Sequence, residues 1–446
     1  MRLPIRVSVA SRLVLGLTLL VAVGTGLLSL PGMTTTPLTF MDRLFTAASA
    51  VTVTGLAVAT TSTTFTPLGQ LVLLVLIQIG GLGFVVLVVA ALRLVGRHVP
   101  LEERMALADE LGVGRSRSIL SILQRTVLFM LLVEGLGAAL LFIYWSSTHQ
   151  TPEGRTLFYA IFHSVAAFCN AGFDLFYGLP GGPTGPPADI PTMIIMGLIA
   201  IFGGLGIPVY MDLLYRRKAR GWSMHSRVTA ITSAALVLGG MGALLITEYW
   251  LGGALSGEPL GYRATLSWFQ STMTRTAGFP GLAGLVNLQP ASILTLIGLM
   301  FIGSGPASMG GGITTGTLAA LLLGAWAAIS GGRRGRIAGR SIPTATLQRA
   351  AAVLTIAILA VGIGTWLLLL TGPFSFEEAL FVVVSAFSTV GLSLGITPGL
   401  TTAGRLIIIA MMIWGRLGAM TIVVSLAQYH ARRGLIEYPE GELLVG

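Results

Sequence analysis

Four glycines, each between a short amphipathic segment and a long apolar run, constrain this chain more than any other feature. They are Gly55, Gly172, Gly278 and Gly391, separated by 117, 106 and 113 residues. A leucine or a phenylalanine follows each of them. Recurrence at matching positions indicates one structural unit that is repeated four times.

Each unit has the same order of parts: a long apolar helix, a short amphipathic segment, a polar loop with the glycine, and a second long apolar helix. The predicted repeats span residues 12–92, 126–215, 228–328 and 350–431. Their short segments are Asp42–Ala50, Thr156–Phe168, Tyr262–Met273 and Phe376–Phe387. At a rise of about 1.5 Å per residue, such a segment covers only about half of a bilayer.

The composition places these repeats in a membrane. Hydrophobic residues make up 54% of the 446 residues and charged residues only 10%, whereas a soluble domain carries about 25% charged residues. Non-helical backbone at membrane depth is stable only where protein surrounds it or water reaches it. We therefore predict an all-α polytopic membrane protein with four helix–pore-loop–helix repeats around a pseudo-fourfold central pore.

The basic residues orient the chain, whose net charge is +10. The terminal segments and the connections between repeats hold 21 of the 27 lysines and arginines. The opposite side holds only Arg43, Arg155, Arg263 and Arg405. The positive-inside rule then predicts eight spans, both termini in the cytoplasm and pore loops that enter from outside. The run Leu13–Leu30 is predicted as the first membrane helix and not as a signal peptide, because no small-residue cleavage site follows it.

Other classes of protein fit the sequence less well. Arginines in short blocks between apolar runs argue against a nucleic-acid partner. The single cysteine, Cys169, excludes an intramolecular disulfide and a thiolate metal cluster. Secondary transporters of organic solutes often use inverted repeats, whereas these four repeats run the same way. We do not expect an enzyme, since the spans carry no paired carboxylates and no histidine spacing for a metal.

The four loops have the composition of a cation filter. Backbone carbonyls can replace the hydration shell of a cation when glycine lets successive oxygens face one axis. For a single loop of this kind, an ordinary helix-ending turn would be the favoured interpretation, but the fourfold repetition favours a filter. The predicted filter residues are Thr52, Val53, Thr54, Gly55, Cys169, Asn170, Ala171, Gly172, Thr274, Arg275, Thr276, Ala277, Gly278, Ser388, Thr389, Val390 and Gly391.

The loop motifs closely resemble those of the TrkH/TrkG/KtrB family of potassium transport proteins, over essentially the whole chain. They are Thr52–Leu56, Asn170–Phe173, Arg275–Phe279 and Ser388–Ser393. Because the sequence begins directly with the first repeat, it looks like the KtrB branch. The resemblance implies K+ as the transported ion at the filter loops, and Na+ as a stimulator in many KtrB-like systems. It also implies a bacterial cytoplasmic (inner) membrane, a homodimer and a cytoplasmic ring of RCK-type nucleotide-binding subunits. The cytoplasmic C-terminal tail, residues 432–446, is acidic from Ile436 onward, and the resemblance places it at the dimer interface.

Glycines and a proline interrupt the second long helix of the third repeat. Both are poor helix formers, so we predict a break near mid-membrane. The break could be a movable constriction or a packing kink where helices approach closely. The resemblance favours a gate, because the stretch is similar to the family's intramembrane loop. The predicted gate residues are Gly303, Ser304, Gly305, Pro306, Ala307, Ser308, Met309, Gly310, Gly311, Gly312, Ile313, Thr314, Thr315 and Gly316, together with Arg416.

Arg275 is predicted to lie beside the third filter loop, where a fixed cation would oppose ion binding. We expect it to brace the loop, either through backbone carbonyls or through an acid. The candidate acids are Asp42, Asp174 and Glu378.

Arg416 lies 11 residues beyond Arg405 on the last apolar helix, about 16 Å deeper at helical rise. A charge at that depth is costly and usually functional. The motif Gly415–Gly418 matches a family pattern whose arginine lies below the filter. We hypothesise that Arg416 is an electrostatic barrier that holds the gate through its carbonyls. A pair with Glu134 is the alternative.

Two further polar residues in apolar surroundings are weaker candidates. Glu134 could be an ion relay, but an interhelical hydrogen bond is the favoured interpretation. His163 is expected to be a core or pore-helix residue.

Overall fold

The computed structural model describes residues 9–82, 119–179, 185–215, 221–250, 257–282, 285, 288–331, 336–337 and 340–418. The predicted ends of the first and fourth repeats, at residues 92 and 431, and the tail 432–446 lie outside these residues. Helices form nearly all of the regular structure. Two short strands, β1 (Arg336–Ile337) and β2 (Arg340–Ser341), pair as an antiparallel hairpin.

The described part of the first repeat contains four helices. They are α1 (Val9–Leu28), α2 (Phe40–Val51), the one-turn α3 (Thr61–Thr64) and α4 (Pro67–Leu82). A capping box fixes the start of α2, because the Thr39 hydroxyl accepts from Asp42 N while the Asp42 carboxylate accepts from Thr39 N. The second half of α2, residues 45–51, is buried. The predicted half-membrane segment is therefore a helix that ends inside the protein.

The second repeat contains α5 (Ile119–Thr148), α6 (Thr156–Phe168), α7 (Ile190–Leu205) and α8 (Ile207–Tyr215). The prediction of one long helix after the loop is wrong here. The axis bends by 99° between α7 and α8. Gly206, at the bend, has a φ of 88°, which glycine adopts without strain.

The third repeat has two π turns, Ile246–Trp250 and Met273–Ala277, which extend its first two helices. Its helices are α9 (Met224–Leu245), α10 (Leu260–Thr272), α11 (Pro290–Phe301) and α12 (Thr315–Ile329). The break that the glycines and the proline predicted lies between α11 and α12 and is confirmed.

The fourth repeat contains α13 (Thr344–Leu369), α14 (Phe376–Phe387) and α15 (Thr402–Leu417). A second capping box, between Ser375 and Glu378, starts α14. The half-membrane helices of the first and fourth repeats therefore begin with the same local device.

Three helices in the described ranges are long and apolar enough to cross a bilayer: Gln124–Thr148, Met224–Tyr249 and Thr344–Leu369. The bent pair α7 and α8 makes a fourth if it counts as one span. Only 28–33% of the most apolar window of each long helix is buried, so most of this apolar surface lies on the outside of the chain, as lipid contact requires. The chain is a multi-pass membrane protein, and the number of eight spans stays a prediction.

Candidate functional site

Three of the four predicted filter turns share one backbone geometry. The amide of the residue before the glycine donates to the carbonyl five residues earlier, over an N···O distance of 2.8 Å. The pairs are Thr54 with Ser49, Ala171 with Ala166, and Val390 with Ser385. The residue two positions before the glycine has a positive φ: 51° at Val53, 55° at Asn170 and 50° at Thr389. Such a φ is costly for a β-branched residue, so the surrounding structure must impose it.

The third turn differs because the π turn Met273–Ala277 lengthens its pore helix. The corresponding hydrogen bond moves by one residue and runs from Gly278 N to Met273 O, at 2.8 Å. Thr276, two positions before the glycine, lies within the π turn. The filter turns therefore differ in backbone as well as in side chains.

The four filter glycines form a closed ring. Each lies against the carbonyl oxygen that precedes the glycine of a neighbouring repeat. The pairs are Gly55 with Ala171, Gly172 with Ala277, Gly278 with Val390, and Gly391 with Thr54. A Cβ atom added to these glycines would lie 1.8–3.1 Å from those oxygens. The repeats thus surround a single axis in chain order, which confirms the predicted pseudo-fourfold architecture.

A cavity of about 560 Å³ opens above this ring, on the side of the residues that follow the glycines. We call it the outer vestibule. All four filter glycines line it, with Leu56, Phe173 and Leu392 among the wall residues. Asp174 is the one carboxylate among the described lining residues. A cation that approaches the ring therefore passes a carboxylate on the second repeat.

A histidine holds Asp174 in place, a contact that the sequence did not predict. His163 lies in α6, is fully buried and places Nε2 2.9 Å from Asp174 Oδ1. The Asp174 carboxylate also accepts from the amides of Phe176 (3.1 Å) and Tyr177 (2.6 Å). His163 is thus a pore-helix residue, as expected, and it fixes the chain that follows Gly172.

The segment between α11 and α12 lies against the filter turns on the side opposite the outer vestibule. A parallel bridge between Ile302 and Ile313 closes the segment into a loop. Gly311 N donates to Thr389 Oγ1 at 2.8 Å, and Ser304 Oγ donates to Thr276 Oγ1 at 3.1 Å. The predicted gate residues therefore contact the third and fourth filter turns directly.

The same segment fills the bend of the second repeat. Gly305 N donates to Gly204 O at 2.8 Å, and Ile207 N donates to Ala307 O at 3.0 Å. A Cβ atom on Gly206 would lie 2.3 Å from Pro306 O. The run Gly203–Pro208, with three glycines and a proline, was the sequence signal for this bend.

In three repeats, a glycine of the helix that follows the filter turn packs against the last residue of the half-membrane helix that precedes the turn. We call the half-membrane helices pore helices. A Cβ atom on these glycines would lie only 1.8–2.1 Å from the last pore-helix carbonyl. The pairs are Gly80 with Val51, Gly203 with Phe168, and Gly415 with Phe387. The next residue is Gly81 in the first repeat, Gly204 in the second and Arg416 in the fourth. Arg416 therefore occupies a position where two other repeats have no side chain.

Arg416 joins three repeats through backbone oxygens. Its guanidinium donates to Met309 O of the predicted gate, to Gly80 O, and to Gly81 O at 3.1 Å. The expected contact between Arg416 and the backbone of the predicted gate segment is present, at the carbonyl of Met309. The alternative pair with Glu134 is wrong, because Glu134 accepts from Gln78 Nε2 at 3.0 and 3.2 Å. Glu134 thus makes the interhelical hydrogen bond that we favoured.

Arg275 braces the third filter turn through backbone, as expected. Its Nη2 donates to Gly303 O at 3.1 Å and to Ser233 Oγ at 3.4 Å. The suggestion of an acidic partner is wrong for all three candidates. Asp42 pairs with Arg405, Asp174 contacts His163, and Glu378 caps its own helix.

Asp42 and Arg405 connect the first repeat to the fourth, 363 residues away. Arg405 Nη1 lies 2.5 Å from Asp42 Oδ1, and both residues are half-buried, so the ion pair stays accessible to water. Partial burial acts to raise the pKa of Asp42, but hydrogen bonds from Thr39 and the charge of Arg405 hold that pKa below its ordinary value. This ion pair closes the ring of repeats on the outer side.

We expect Asp42→Asn to lower the free energy of unfolding by about 1 kcal/mol at neutral pH, the usual contribution of an accessible ion pair. Because the pKa of Asp42 is lowered, its contribution is present above the ordinary carboxyl pKa of about 4 and is lost as the pH falls through the lowered value. Thermal melting at neutral and acidic pH tests this. A difference between wild type and Asp42→Asn that grows in acid would contradict it.

The fold and the site define a class: a multi-pass membrane protein whose four re-entrant turns meet around one axis. The family model described as "TrkH: Cation transport protein" matches residues 18–435. The chain belongs to this TrkH family of cation transport proteins.

Individual relatives are similar over nearly their whole length. The Ktr system potassium uptake protein B of Bacillus subtilis is 36% identical, over 97% of this chain and 96% of that protein. The protein of the same name from Vibrio alginolyticus is 34% identical, over 94% and 91%. The potassium/sodium uptake protein NtpJ of Enterococcus hirae is 32% identical, over 99% and 98%. The crystal structure of the potassium transporter TrkH from Vibrio parahaemolyticus has the same fold, with a TM-score of 0.71 at 18% identity over 95% of this chain and 86% of that one.

Proposed function

We propose that this chain takes up potassium ions across the bacterial cytoplasmic membrane through the ring of filter turns. The closed ring carries the proposal, because a carbonyl oxygen of each repeat meets the glycine of its neighbour. Carbonyls arranged around an axis can replace the water that K+ loses. The names of the two Ktr relatives support potassium as the ion.

We assign the gate to residues 303–316 together with Arg416. The contacts of Gly311 and Ser304 with the filter turns support a position in the ion path. The guanidinium of Arg416 adds a fixed positive charge on the inner side of the ring, which opposes the passage of a cation. Movement of this segment away from Arg416 would have to break the hydrogen bond between the guanidinium and Met309 O.

Uptake by this chain is proposed to be stimulated by Na+ and regulated by a cytoplasmic partner. Stimulation by Na+ is supported by the potassium/sodium name of the Enterococcus relative. A homodimer and a ring of RCK-type subunits come from the family resemblance. The arginine distribution supports cytoplasmic termini.

Growth of a bacterium that lacks its own potassium uptake systems tests the function. The chain, expressed with an RCK-type partner, is expected to restore growth at low potassium. Purified protein in liposomes should then carry rubidium, a potassium analogue, and an imposed sodium gradient should increase the initial rate. Failure to restore growth together with absent rubidium flux in liposomes would refute the proposal.

A further inference from the structure

A second cavity, of about 280 Å³, lies between the second and third repeats. Its walls come from α7, α9 and α10, together with Arg275 and Thr276 of the third filter turn and Ser304 of the predicted gate, and none of its described lining residues is a filter glycine. Ile201, Leu238 and Trp268 are among the apolar side chains that line it. Ala234 is exposed and Leu238 is 62% exposed on the outer face of α9, so this side cavity opens toward the lipid.

The polar end of the side cavity is the guanidinium of Arg275. The arginine is only 8% exposed. Two of its hydrogen bonds go to neutral oxygens, on Gly303 and Ser233, and its Nε has no partner. In the described part of the chain, no carboxylate pairs with it. A cation without a counter-charge is costly at this depth, so the side cavity presents an uncompensated positive charge to whatever enters it.

We propose that the side cavity binds a fatty-acid anion from the bilayer. The carboxylate would accept hydrogen bonds from Arg275, which is the strongest pairing open to a guanidinium in apolar surroundings. The volume lies just below the lower end of ordinary ligand pockets, about 300–1,000 Å³. It therefore suits a small carboxylate head and the first methylenes of one chain, with the remainder in the lipid beside Leu238. The larger head and second chain of a phospholipid do not suit this volume.

An occupant would also affect the predicted gate, because Arg275 donates to Gly303, the first gate residue. A carboxylate competes with the Gly303 carbonyl for the same guanidinium, which would weaken the brace on the gate. This consequence depends on the proposed function, whereas binding itself does not.

Photolabelling in vesicles of neutral phosphatidylcholine tests the site. We expect a diazirine-bearing fatty acid to label α9 near Ala234 and α10 near Trp268, and oleate to protect both. Arg275→Gln should reduce this labelling at least about tenfold, since a charge-assisted hydrogen bond is lost. Ala234→Phe should reduce it similarly, because Ala234 lines the side cavity and the new ring takes up space at its opening.

Ala235→Phe is the matched control. Ala235 is exposed on the same helix but does not line the side cavity, so labelling should match wild type. The proposal is overturned if wild type shows no oleate-protected label, if Ala234→Phe labels as strongly as Ala235→Phe, or if oleyl alcohol protects as well as oleate. Stronger protection by phosphatidic acid than by oleate would also overturn it. Rubidium flux is measured separately, so protected labelling without flux would refute the proposed function and leave the site standing.

Discussion

Gly391→Ser is expected to reduce potassium uptake at least about tenfold, and Gly55→Ser to a similar extent. The two glycines have φ values of 100° and 87°, and a non-glycine residue in such a conformation costs about 1–3 kcal/mol, or roughly fivefold to more than a hundredfold in the population of the native turn. The new Cβ atoms would also lie 2.2 and 2.3 Å from the carbonyl oxygens of Thr54 and Ala171. The clash therefore displaces the oxygens that we assign to ion binding.

Serine substitutions at the four ring glycines should reduce potassium uptake to different extents. A Cβ atom on Gly278 would lie 1.8 Å from Val390 O, whereas one on Gly172 would keep 3.1 Å from its nearest oxygen. We therefore expect Gly172→Ser to retain the most uptake. Initial rates of rubidium uptake at several concentrations, normalised to the amount of protein in the membrane, measure this order.

Gly362→Ser is the matched control for these variants. Gly362 lies on the exposed face of α13, and a Cβ atom there would meet nothing within 4 Å. Its uptake should equal that of wild type. If Gly172→Ser proved the most damaging, or if Gly362→Ser were as damaging as Gly391→Ser, the assignment of the ring to ion binding would be wrong.

Arg416→Gln is expected to raise potassium flux at least about tenfold in liposomes that contain no regulatory partner. The guanidinium makes three hydrogen bonds to carbonyls of two segments, one in the predicted gate and two at the end of α4. A hydrogen bond to a charged group contributes about 1.5–3 kcal/mol. If one such hydrogen bond is made only in the non-conducting state, its loss increases the ratio of conducting to non-conducting protein more than tenfold. Removal of the positive charge lowers the barrier to a cation as well.

Arg416→Lys separates the two effects. Lysine keeps the charge, but a single ammonium cannot reproduce the planar fork that reaches Met309, Gly80 and Gly81 together. If the hydrogen bonds hold the gate, Arg416→Lys should leak almost as much as Arg416→Gln. If the charge dominates, Arg416→Lys should stay close to wild type. If Arg416→Gln left both the potassium flux and the response to the regulatory partner unchanged, Arg416 would have no role in the gate.

The half-membrane helices could be predicted closely from the sequence. Thr156–Phe168 and Phe376–Phe387 have the predicted bounds, and Asp42–Ala50 lies within α2. Local chemistry explains this success, because a capping box starts Phe376–Phe387 and a glycine turn follows each of the three helices. Both devices act on their own few residues. The break between α11 and α12 was predictable for the same reason, since proline and glycine weaken any helix that contains them.

The partners of the buried charges were not predictable in this way. Asp42 was a candidate partner of Arg275, but it pairs with Arg405, 363 residues away. Glu134 was a candidate partner of Arg416, but it bonds Gln78 of the first repeat. Each arginine had several plausible acceptors in the sequence, and many of the actual ones are backbone carbonyls that no side-chain pattern reveals.

Taken alone, the sequence determined the repeats, the pore helices, the filter glycines and the break in the third repeat, because each depends on hydrophobic length or on the backbone preference of a few adjacent residues. Only the tertiary structure decided how the glycines meet the carbonyls of the next repeat, and which oxygens receive Arg275 and Arg416. Those contacts join residues from different repeats, and their geometry exists only once the four units have packed around the common axis.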